Sequence, residues 1–243
     1  MRRSAARLRM AAQTSEPEDR GLHHGPTAPY SLLTEQQLEE VFAAALTLLA
    51  ETGVVFEPGT EADAMFRNAG CSISQDGIVR IPAEITRRAL DATARSAKLW
   101  NRDGTKAIEI DCNHTWFFPG MTCIKIFDFE TGEARASTRN DLAMITRLAD
   151  GLANIDGVCV ACKNVSRTDE FGEIDEFTCM IENTTKPLEY LCENARSLAA
   201  VIEMAATIRG GHEKLRQKPY FLQIVTPLPL NYAATHIEQI IMA

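Results

Sequence analysis

The second half of the chain is dominated by short apolar segments that alternate with amphipathic helical segments, beginning near Ile155. The apolar segments are residues 158–165, 187–192 and 220–225, and the helical patterns are residues 171–182, 196–208 and 232–242. Strands with few polar positions are typical of parallel sheets whose faces are covered by helices. The alternation therefore predicts consecutive β/α units, which places the chain in the α/β class.

The number of residues available limits how many such units can form. A (β/α)8 TIM barrel takes about 250 residues, whereas about 89 of the 243 residues follow Asn154. We therefore expect residues 155–243 to form about three β/α units, the first part of a truncated TIM barrel, with an open sheet edge after the third strand. The last helical pattern ends on Ile240, Ile241 and Met242 without a stop signal, which agrees with truncation.

The residues before this alternation divide into two parts. Residues 1–30 carry no periodic apolar pattern and are expected to be a disordered arm. Residues 31–154 predict an N-terminal α+β region of helices and β-hairpins, in which Thr34 and Thr138 each begin a capping box. A tight turn at residues 130–133 predicts one hairpin. The strand-like segments of this region include residues 98–101, 107–111, 115–118 and 123–129.

Charge and composition argue against several classes of function. The chain has 25 Lys and Arg against 33 Asp and Glu, a formal net charge of −8 and a pI near 5.2. This balance argues against sequence-independent binding to nucleic acid, which needs a basic surface. No apolar run approaches the ~20 residues of a membrane span. The odd number of cysteines, seven, and the lack of a secretory apolar segment predict reduced thiols and a cytoplasmic location.

Cys159 and Cys162 have the CxxC spacing of some metal and redox sites. A zinc site needs two further ligands within reach, and the sequence has no second CxxC or HxxxH pair. On a strand, residues three apart also point to opposite faces. We therefore expect structural cysteines and no metal site. The lack of a GxGxxG or GxxxxGK[ST] pattern gives no support for a nucleotide cofactor.

A series of segments in a fixed order carries a resemblance to a known family. The segments are residues 33–34, 48–54, 78–82, 127–133, 137–142, 147–150, 154–156, 183–187 and 227–230. This series is similar to the N-terminal half of the trimethylamine methyltransferase family, which includes enzymes that act on glycine betaine and related quaternary amines. The resemblance covers roughly residues 30–243.

The resemblance implies a TIM barrel preceded by a helical and β-hairpin elaboration. It also implies a methyltransferase that moves a methyl group from a tertiary or quaternary amine, such as trimethylamine or glycine betaine, to the cobalt of a corrinoid. That corrinoid (cobalamin) cofactor is carried by a partner protein, in chemistry associated with methanogenesis. The implied partners are a corrinoid protein and a small amine, and we expect the full-length form to be a homo-oligomer. Two alternatives stay open: a non-catalytic remnant that only binds a partner or amine, and an unrelated β/α enzyme whose second half supplies the chemistry.

Side chains at the carboxyl ends of the predicted barrel strands are the candidate site residues, because TIM barrels gather function there. The rule selects Lys163, Asn164, Ser166, Asp169, Glu189, Glu193, Asn194, Gln223, Thr226 and Asn231. Of these, we predict substrate binding by Asn164, Glu189, Glu193, Gln223 and Thr226. Glu189 and Gln223 also fit polar side chains that only satisfy hydrogen bonds inside a barrel or that face the helices, and Asn194 also fits a helix cap.

A methylated ammonium favours aromatic faces and a carboxylate around it. The aromatic residues nearby in sequence are Tyr190, Tyr220, Phe221 and Tyr232, and core packing is the alternative for each. Glu189 and Tyr190 are adjacent on one strand, so only one of them can face the barrel interior. The sequence identifies no catalytic residue: it has no Ser-His-Asp or Cys-His pattern, and a cobalt nucleophile requires none from the protein.

Overall fold

The computed structural model describes residues 31–167 and 171–242, which form a mixed α/β structure. The predicted arm, residues 1–30, lies outside the described residues, as does Asp169. The helices are α1 (Glu35–Thr47), α2 (Glu61–Ala69), α3 (Ala83–Ala92), α4 (Arg139–Gly151), α5 (Gly172–Asn183), α6 (Ala195–Arg209), α7 (His212–Gln217) and α8 (Ala234–Met242), and a π-helical turn (Leu48–Thr52) follows α1. The strands are β1 (Val54–Phe56), β2 (Ser72–Ile73), β3 (Ile78–Arg80), β4 (Ala97–Trp100), β5 (Ala107–Ile110), β6 (Lys125–Phe127), β7 (Ala134–Ala136), β8 (Val158–Cys159), β9 (Leu188–Tyr190), β10 (Phe221–Gln223) and β11 (Asn231–Tyr232).

The local signals predict most of these elements correctly. Both capping boxes are present, with reciprocal bonds between Thr34 and Gln37 and between Thr138 and Asp141. The predicted strand at residues 115–118 is wrong, because the Phe117 N–H donates to a side-chain oxygen of Asp156 instead of joining a sheet. The short helix α7 was not predicted; it begins directly after Gly211, and Gly210 ends α6.

The predicted β/α alternation is confirmed in a three-stranded parallel sheet. Its strand order is β10-β9-β8, and both pairings are parallel. The connections are α5, between β8 and β9, and the pair α6 and α7, between β9 and β10. Within the described ranges, none of the sheets closes into a barrel. The predicted strand at 158–165 is shorter than expected, and beyond Cys159 the chain continues with a single bridge between Cys162 and Cys123.

One face of this sheet packs on α5. Residues paired in a parallel sheet share a face, so the pairs Leu188–Phe221 and Tyr190–Gln223 lie on the same side. Phe177 of α5 is fully buried there, with ring centroids 5.2 Å from Tyr190 and 5.6 Å from Phe221, both edge to face. Complete burial of one such aromatic side chain stabilises the fold by roughly 2–3 kcal/mol.

Two of the segments that carried the family resemblance meet in space where α4 ends. Arg147 Nη1 donates to Asn183 Oδ1 at 2.6 Å, and Thr184 Oγ1 donates to Asp150 Oδ1 at 2.6 Å. Side chains separated by more than thirty residues therefore join the last turn of α4 to the turn between α5 and β9.

Lys186 completes this junction by binding three backbone carbonyls. Its Nζ donates to the carbonyl oxygens of Ala149, Leu152 and Ile155 at 2.7, 2.8 and 2.7 Å. The last carbonyls of a helix lack partners within the helix, and a cation is favourable at that end. Lys186 therefore fixes the segment between α4 and β8 against the start of β9.

A second sheet joins the beginning and the end of the chain. Its order is β11-β1-β3-β2, and β11 pairs with β1 in parallel. The ring of Tyr232 on β11 stacks on Phe56 of β1 with centroids 4.9 Å apart. The segment that follows the parallel sheet thus returns to the N-terminal region.

A buried carboxylate, Asp141, joins the β6–β7 hairpin to α4. It accepts hydrogen bonds from Arg135 Nη1 at 2.8 Å and Nη2 at 2.9 Å, and from the Thr138 backbone and hydroxyl at 2.9 and 2.7 Å. Its side chain is 2% exposed. The Arg135 guanidinium holds the pKa of the Asp141 carboxyl at about 2.

We expect Asp141→Asn to lower the free energy of unfolding at pH 7 by about 2 kcal/mol or more. The folded pKa lies below the ordinary value of about 3.9, so this stabilisation is present above about pH 4 and is lost as the pH falls towards 2. Urea unfolding from pH 7 to pH 2.5 measures both effects. Asp91→Asn, at an exposed position on α3, is the control. Equal pH dependence in wild type and Asp141→Asn would show that Asp141 contributes nothing.

Candidate functional site

The loops that follow β8 and β9 border one polar cavity at the carboxyl edge of the parallel sheet. Its volume is about 440 Å³. It is lined by Lys163, Asn164, Val165, Arg167, Gly172, Glu173, Glu176, Glu193, Asn194 and Ser197. The predicted residues Asn164 and Glu193 are therefore neighbours, although they follow different strands.

An ion pair lies at the base of this cavity. Lys163 Nζ lies 3.3 Å from Glu176 Oε2 and 3.5 Å from Glu193 Oε1. Burial alone lowers the pKa of Lys163, but Glu176 and Glu193 outweigh it, so the pKa is raised and the ammonium keeps its proton. Glu176 is 3% exposed, whereas the Glu193 side chain is 67% exposed. Glu176 is thus held in the interior, whereas Glu193, the other carboxylate near Lys163, faces solvent.

One turn of α5 holds both loops in place. Glu176 Oε1 accepts the Asn164 N–H at 2.8 Å, and Glu173 Oε1 accepts the Glu193 N–H at 2.8 Å. Residues three apart lie on the same face of a helix, so Glu173 and Glu176 both reach the carboxyl edge. Sequence patterns did not identify these two residues. The available signal was a carboxylate at position 176, next to the apolar residues Phe177 and Met180 on the buried side of α5.

Glu189 lies on the sheet face opposite α5. Its neighbours Leu188 and Tyr190 face the helix, so strand alternation directs Glu189 to the other side, with Cys159 and Leu222 as its paired residues. Tyr190 is fully buried and its hydroxyl donates to the Glu173 carbonyl. Glu189 and Tyr190 therefore lie on opposite faces of the sheet.

The Glu189 carboxylate is partly buried, and burial raises its pKa. Within the described residues, no group donates a hydrogen bond to it. An ionised carboxylate in this position lacks the partners that offset its loss of water. A bound cation would supply one.

Gln223 and Thr226 do not line the polar cavity. Gln223 Nε2 donates to the carbonyls of Cys192 and Ile224 and to Gln239 Oε1, and its Oε1 accepts the Cys192 N–H. Its amide joins β10 to α8 and to the loop after β9. Thr226 is exposed in the loop after β10. Substrate binding by these two residues stays a prediction.

The remaining sequence candidates have local roles. Asn194 caps α6 by accepting the Ser197 N–H at 2.9 Å. Asn164 Oδ1 accepts the Ser166 hydroxyl at 2.7 Å. Asn231 pairs with Val55 in the N-terminal sheet.

The four aromatic residues considered for an ammonium cage do not converge. Tyr190 and Phe221 pack on α5, Tyr220 lies under the Arg209 guanidinium, and Tyr232 stacks on Phe56. Each ring therefore packs against other side chains, which is the core-packing alternative for these residues.

The CxxC cysteines are buried, free thiols. Burial raises the pKa of Cys159 and of Cys162 to about 12. Cys159 Sγ lies 2.6 Å from the Pro119 carbonyl oxygen, which places this segment against the Glu189 face. Residues 31–167 and 171–242 contain no group of three or more His, Cys, Asp or Glu placed to hold a metal ion. In the same ranges, no helix combines the length and apolar character needed to cross a bilayer.

Comparison with known families decides what this arrangement belongs to. The model of the family described as trimethylamine methyltransferase (MTTB) matches residues 1–243. The chain belongs to the trimethylamine methyltransferase family. The resemblance of the ordered segments is thereby confirmed.

Individual relatives within the trimethylamine methyltransferase family are distant. A trimethylamine methyltransferase of Desulfitobacterium hafniense is 25% identical over 210 residues, which cover 86% of this chain and 42% of that protein. A second, from Methanosarcina mazei, is 28% identical over 223 residues, or 87% of this chain and 44% of that protein. A glycine betaine methyltransferase of Desulfitobacterium hafniense is 23% identical over 209 residues, or 84% and 42%. The chain spans less than half the length of these relatives.

Proposed function

We propose that this protein moves a methyl group from a tertiary or quaternary amine to the cobalt of a corrinoid carried by a partner protein. Membership in the trimethylamine methyltransferase family supports the reaction class. The observation that carries the proposal to this chain is Glu189, a partly buried carboxylate on the sheet face opposite α5 that accepts no hydrogen bond from the described residues.

The proposed reaction also requires a particular role for the three strands of the parallel sheet. We infer that β8, β9 and β10 are the first strands of a TIM barrel and that Glu189 faces its interior. Their parallel order and the polar residues beyond their carboxyl ends support this inference. In such a barrel, the loops after β8 and β9 would form part of the rim, held by Glu173 and Glu176.

Glu189 suits a methylated ammonium for a chemical reason. A quaternary ammonium has no N–H and binds through charge, so it needs an anion that is not already occupied by donors. Partial burial strengthens the attraction, because water screens the pair less. Glu189 therefore holds the amine, and the loops at the carboxyl edge restrict the access of water.

The methyl acceptor is a substrate brought by another protein, so no residue of this chain needs to hold it permanently. Reduced corrinoid cobalt supplies the nucleophile that accepts the methyl group. The protein's contribution is to orient the N–CH3 bond towards that acceptor. The donor is a quaternary ammonium or a protonated tertiary amine, so the electron pair of the broken C–N bond stays on nitrogen and a neutral amine leaves with one methyl group fewer.

The test combines the protein, a corrinoid protein with reduced cobalt, and trimethylamine or glycine betaine. We expect equal amounts of demethylated amine and methylated corrinoid, measured by NMR of the amine and by the corrinoid absorption spectrum. Omission of the protein is the control. If every tertiary and quaternary amine tested binds but none is demethylated, the catalytic proposal is wrong. The alternative, a remnant that only binds an amine or a partner, would then be favoured.

A further inference from the structure

Within the described part of the chain, three buried polar atoms near the amino end of the parallel sheet have no hydrogen-bond partner. They are the Tyr220 hydroxyl, the Nε of Arg102 and the Nε of Arg209. Tyr220 immediately precedes β10 and is fully buried. The Arg209 guanidinium carbon lies over its ring, 4.9 Å from the centroid.

Backbone contacts bring the segment that carries Arg102 to the same place. The Trp100 N–H donates to the carbonyl of Pro219, next to Tyr220, at 2.7 Å. Arg209 Nη2 donates to the carbonyl of Asn101 at 3.0 Å. Residues 100–102, the end of α6 and the start of β10 therefore form one corner of the molecule.

The positive charges of this corner have little compensation. Among the described residues, neither Arg102 nor Arg209 forms an ion pair, and Lys218 Nζ adds a third cation 2.9 Å from the Gly104 carbonyl oxygen. Asp103 attracts Arg209 electrostatically without forming an ion pair with it, and its carboxylate accepts a hydrogen bond from the Thr105 hydroxyl. Burial lowers the pKa of Arg209 and raises that of Tyr220 to about 12, so the hydroxyl keeps its proton.

A bound anion would accept hydrogen bonds from the buried donors and would balance the positive charge. Buried donors without acceptors cost free energy, and so do partly buried charges without a counterion. Guanidinium groups bind oxyanions through charge-assisted N–H···O bonds, and a phenol donates a further bond to the same kind of acceptor. The overall charge of −8 makes a cluster of unpaired cations here unusual for this chain.

We propose that Arg102, Arg209 and Tyr220 form a binding site for a small oxyanion, such as phosphate, sulfate or a carboxylate, at the amino end of the parallel sheet. The site lies at the opposite end of the strands from the polar cavity and is independent of the methyl-transfer proposal. Arg102 and Arg209 supply charge and N–H donors, and Tyr220 supplies a hydroxyl donor from the buried side.

Calorimetric titration with inorganic phosphate, sulfate and acetate tests the site, with chloride at equal ionic strength as the reference. Thermal unfolding in the same salts gives a second readout. We expect saturable binding of at least one oxyanion, and a loss of affinity of about tenfold or more in Arg102→Gln and in Tyr220→Phe. Comparison of the tetrahedral anions with acetate identifies which oxyanion the site prefers.

Arg216→Gln, which removes the same charge from an exposed position on α7, is the matched control and should bind like wild type. Phosphate and sulfate stabilise proteins in general, so a rise in unfolding temperature that is equal in wild type and Arg102→Gln would overturn the proposal. The absence of saturable binding to wild type would also overturn it and would favour ordered water as the partner of the three atoms.

Discussion

Glu189→Gln should weaken amine binding by about 100-fold, equivalent to about 3 kcal/mol. The substitution keeps the size of the side chain and removes the charge that attracts the ammonium. The positive charge on nitrogen decreases as the C–N bond breaks, so the carboxylate stabilises the bound substrate at least as much as the transition state. The effect should therefore appear mainly as a higher KM with little change in kcat, measured by steady-state demethylation of the amine.

The pH dependence gives this prediction a second readout. Burial raises the pKa of Glu189, so amine binding should weaken as the pH falls through a value higher than that of an ordinary glutamate. Glu189→Gln should lose this dependence. Glu203→Gln, at a 70% exposed position on α6, is the control and should behave like wild type. Unchanged KM in Glu189→Gln, in an active protein, would remove Glu189 from the site while leaving the reaction class intact.

Folding failure can be separated from loss of binding in the same variant. A raised pKa means that the ionised Glu189 carboxyl is less favourable in the folded protein than in the unfolded chain. Its contribution to stability is therefore greatest at low pH and is lost as the pH rises through the folded pKa. Glu189→Gln should unfold at an equal or higher temperature than wild type at pH 7, as expected for a residue retained for binding.

Lys186→Met should lower the free energy of unfolding by about 2–4 kcal/mol. Methionine keeps most of the side-chain length but donates no hydrogen bonds. The carbonyls of Ala149, Leu152 and Ile155 would then lose a charged donor, and only some of them can turn to water. Burial lowers the pKa of Lys186, so the ammonium depends on these carbonyls to offset its loss of water.

Urea unfolding at pH 7 measures this effect. Lys214→Met, at an exposed position on α7, is the matched control and should change stability by less than about 0.5 kcal/mol. A similarly small change in Lys186→Met would mean that water replaces the ammonium at all three carbonyls. Hydrogen exchange of the amides at the end of α4 would locate the loss if it occurs.

Local sequence signals predicted local structure well. The Thr138 capping box and the Asn194 cap depend on side chains that bond the backbone within three residues, so their spacing is visible in the sequence. The conformation of residues 115–118, which were wrongly predicted to form a strand, depends instead on a distant partner. Phe117 bonds Asp156, and no pattern within the segment indicates that contact.

The residues of the candidate site also differ in whether the sequence could identify them. Asn164 and Glu193 could be named from the sequence because each follows a strand, and parallel strands end at one edge. Glu173 and Glu176 could not, because they lie on a helix and act on loops that are 20 and 12 residues away, respectively. Their role depends on how α5 is rotated on the sheet, which is a property of packing.

The sequence by itself determined the alternation of strands and helices from Ile155 onward, since apolar periodicity and helix caps are short-range features. It also determined the family, through the order of its segments. Only the tertiary structure decided that β11 returns to pair with β1, that Lys186 closes the end of α4, and that Arg102, Arg209 and Tyr220 come together. These contacts join residues far apart in the chain, and long-range contacts are selected by the packing of the whole fold.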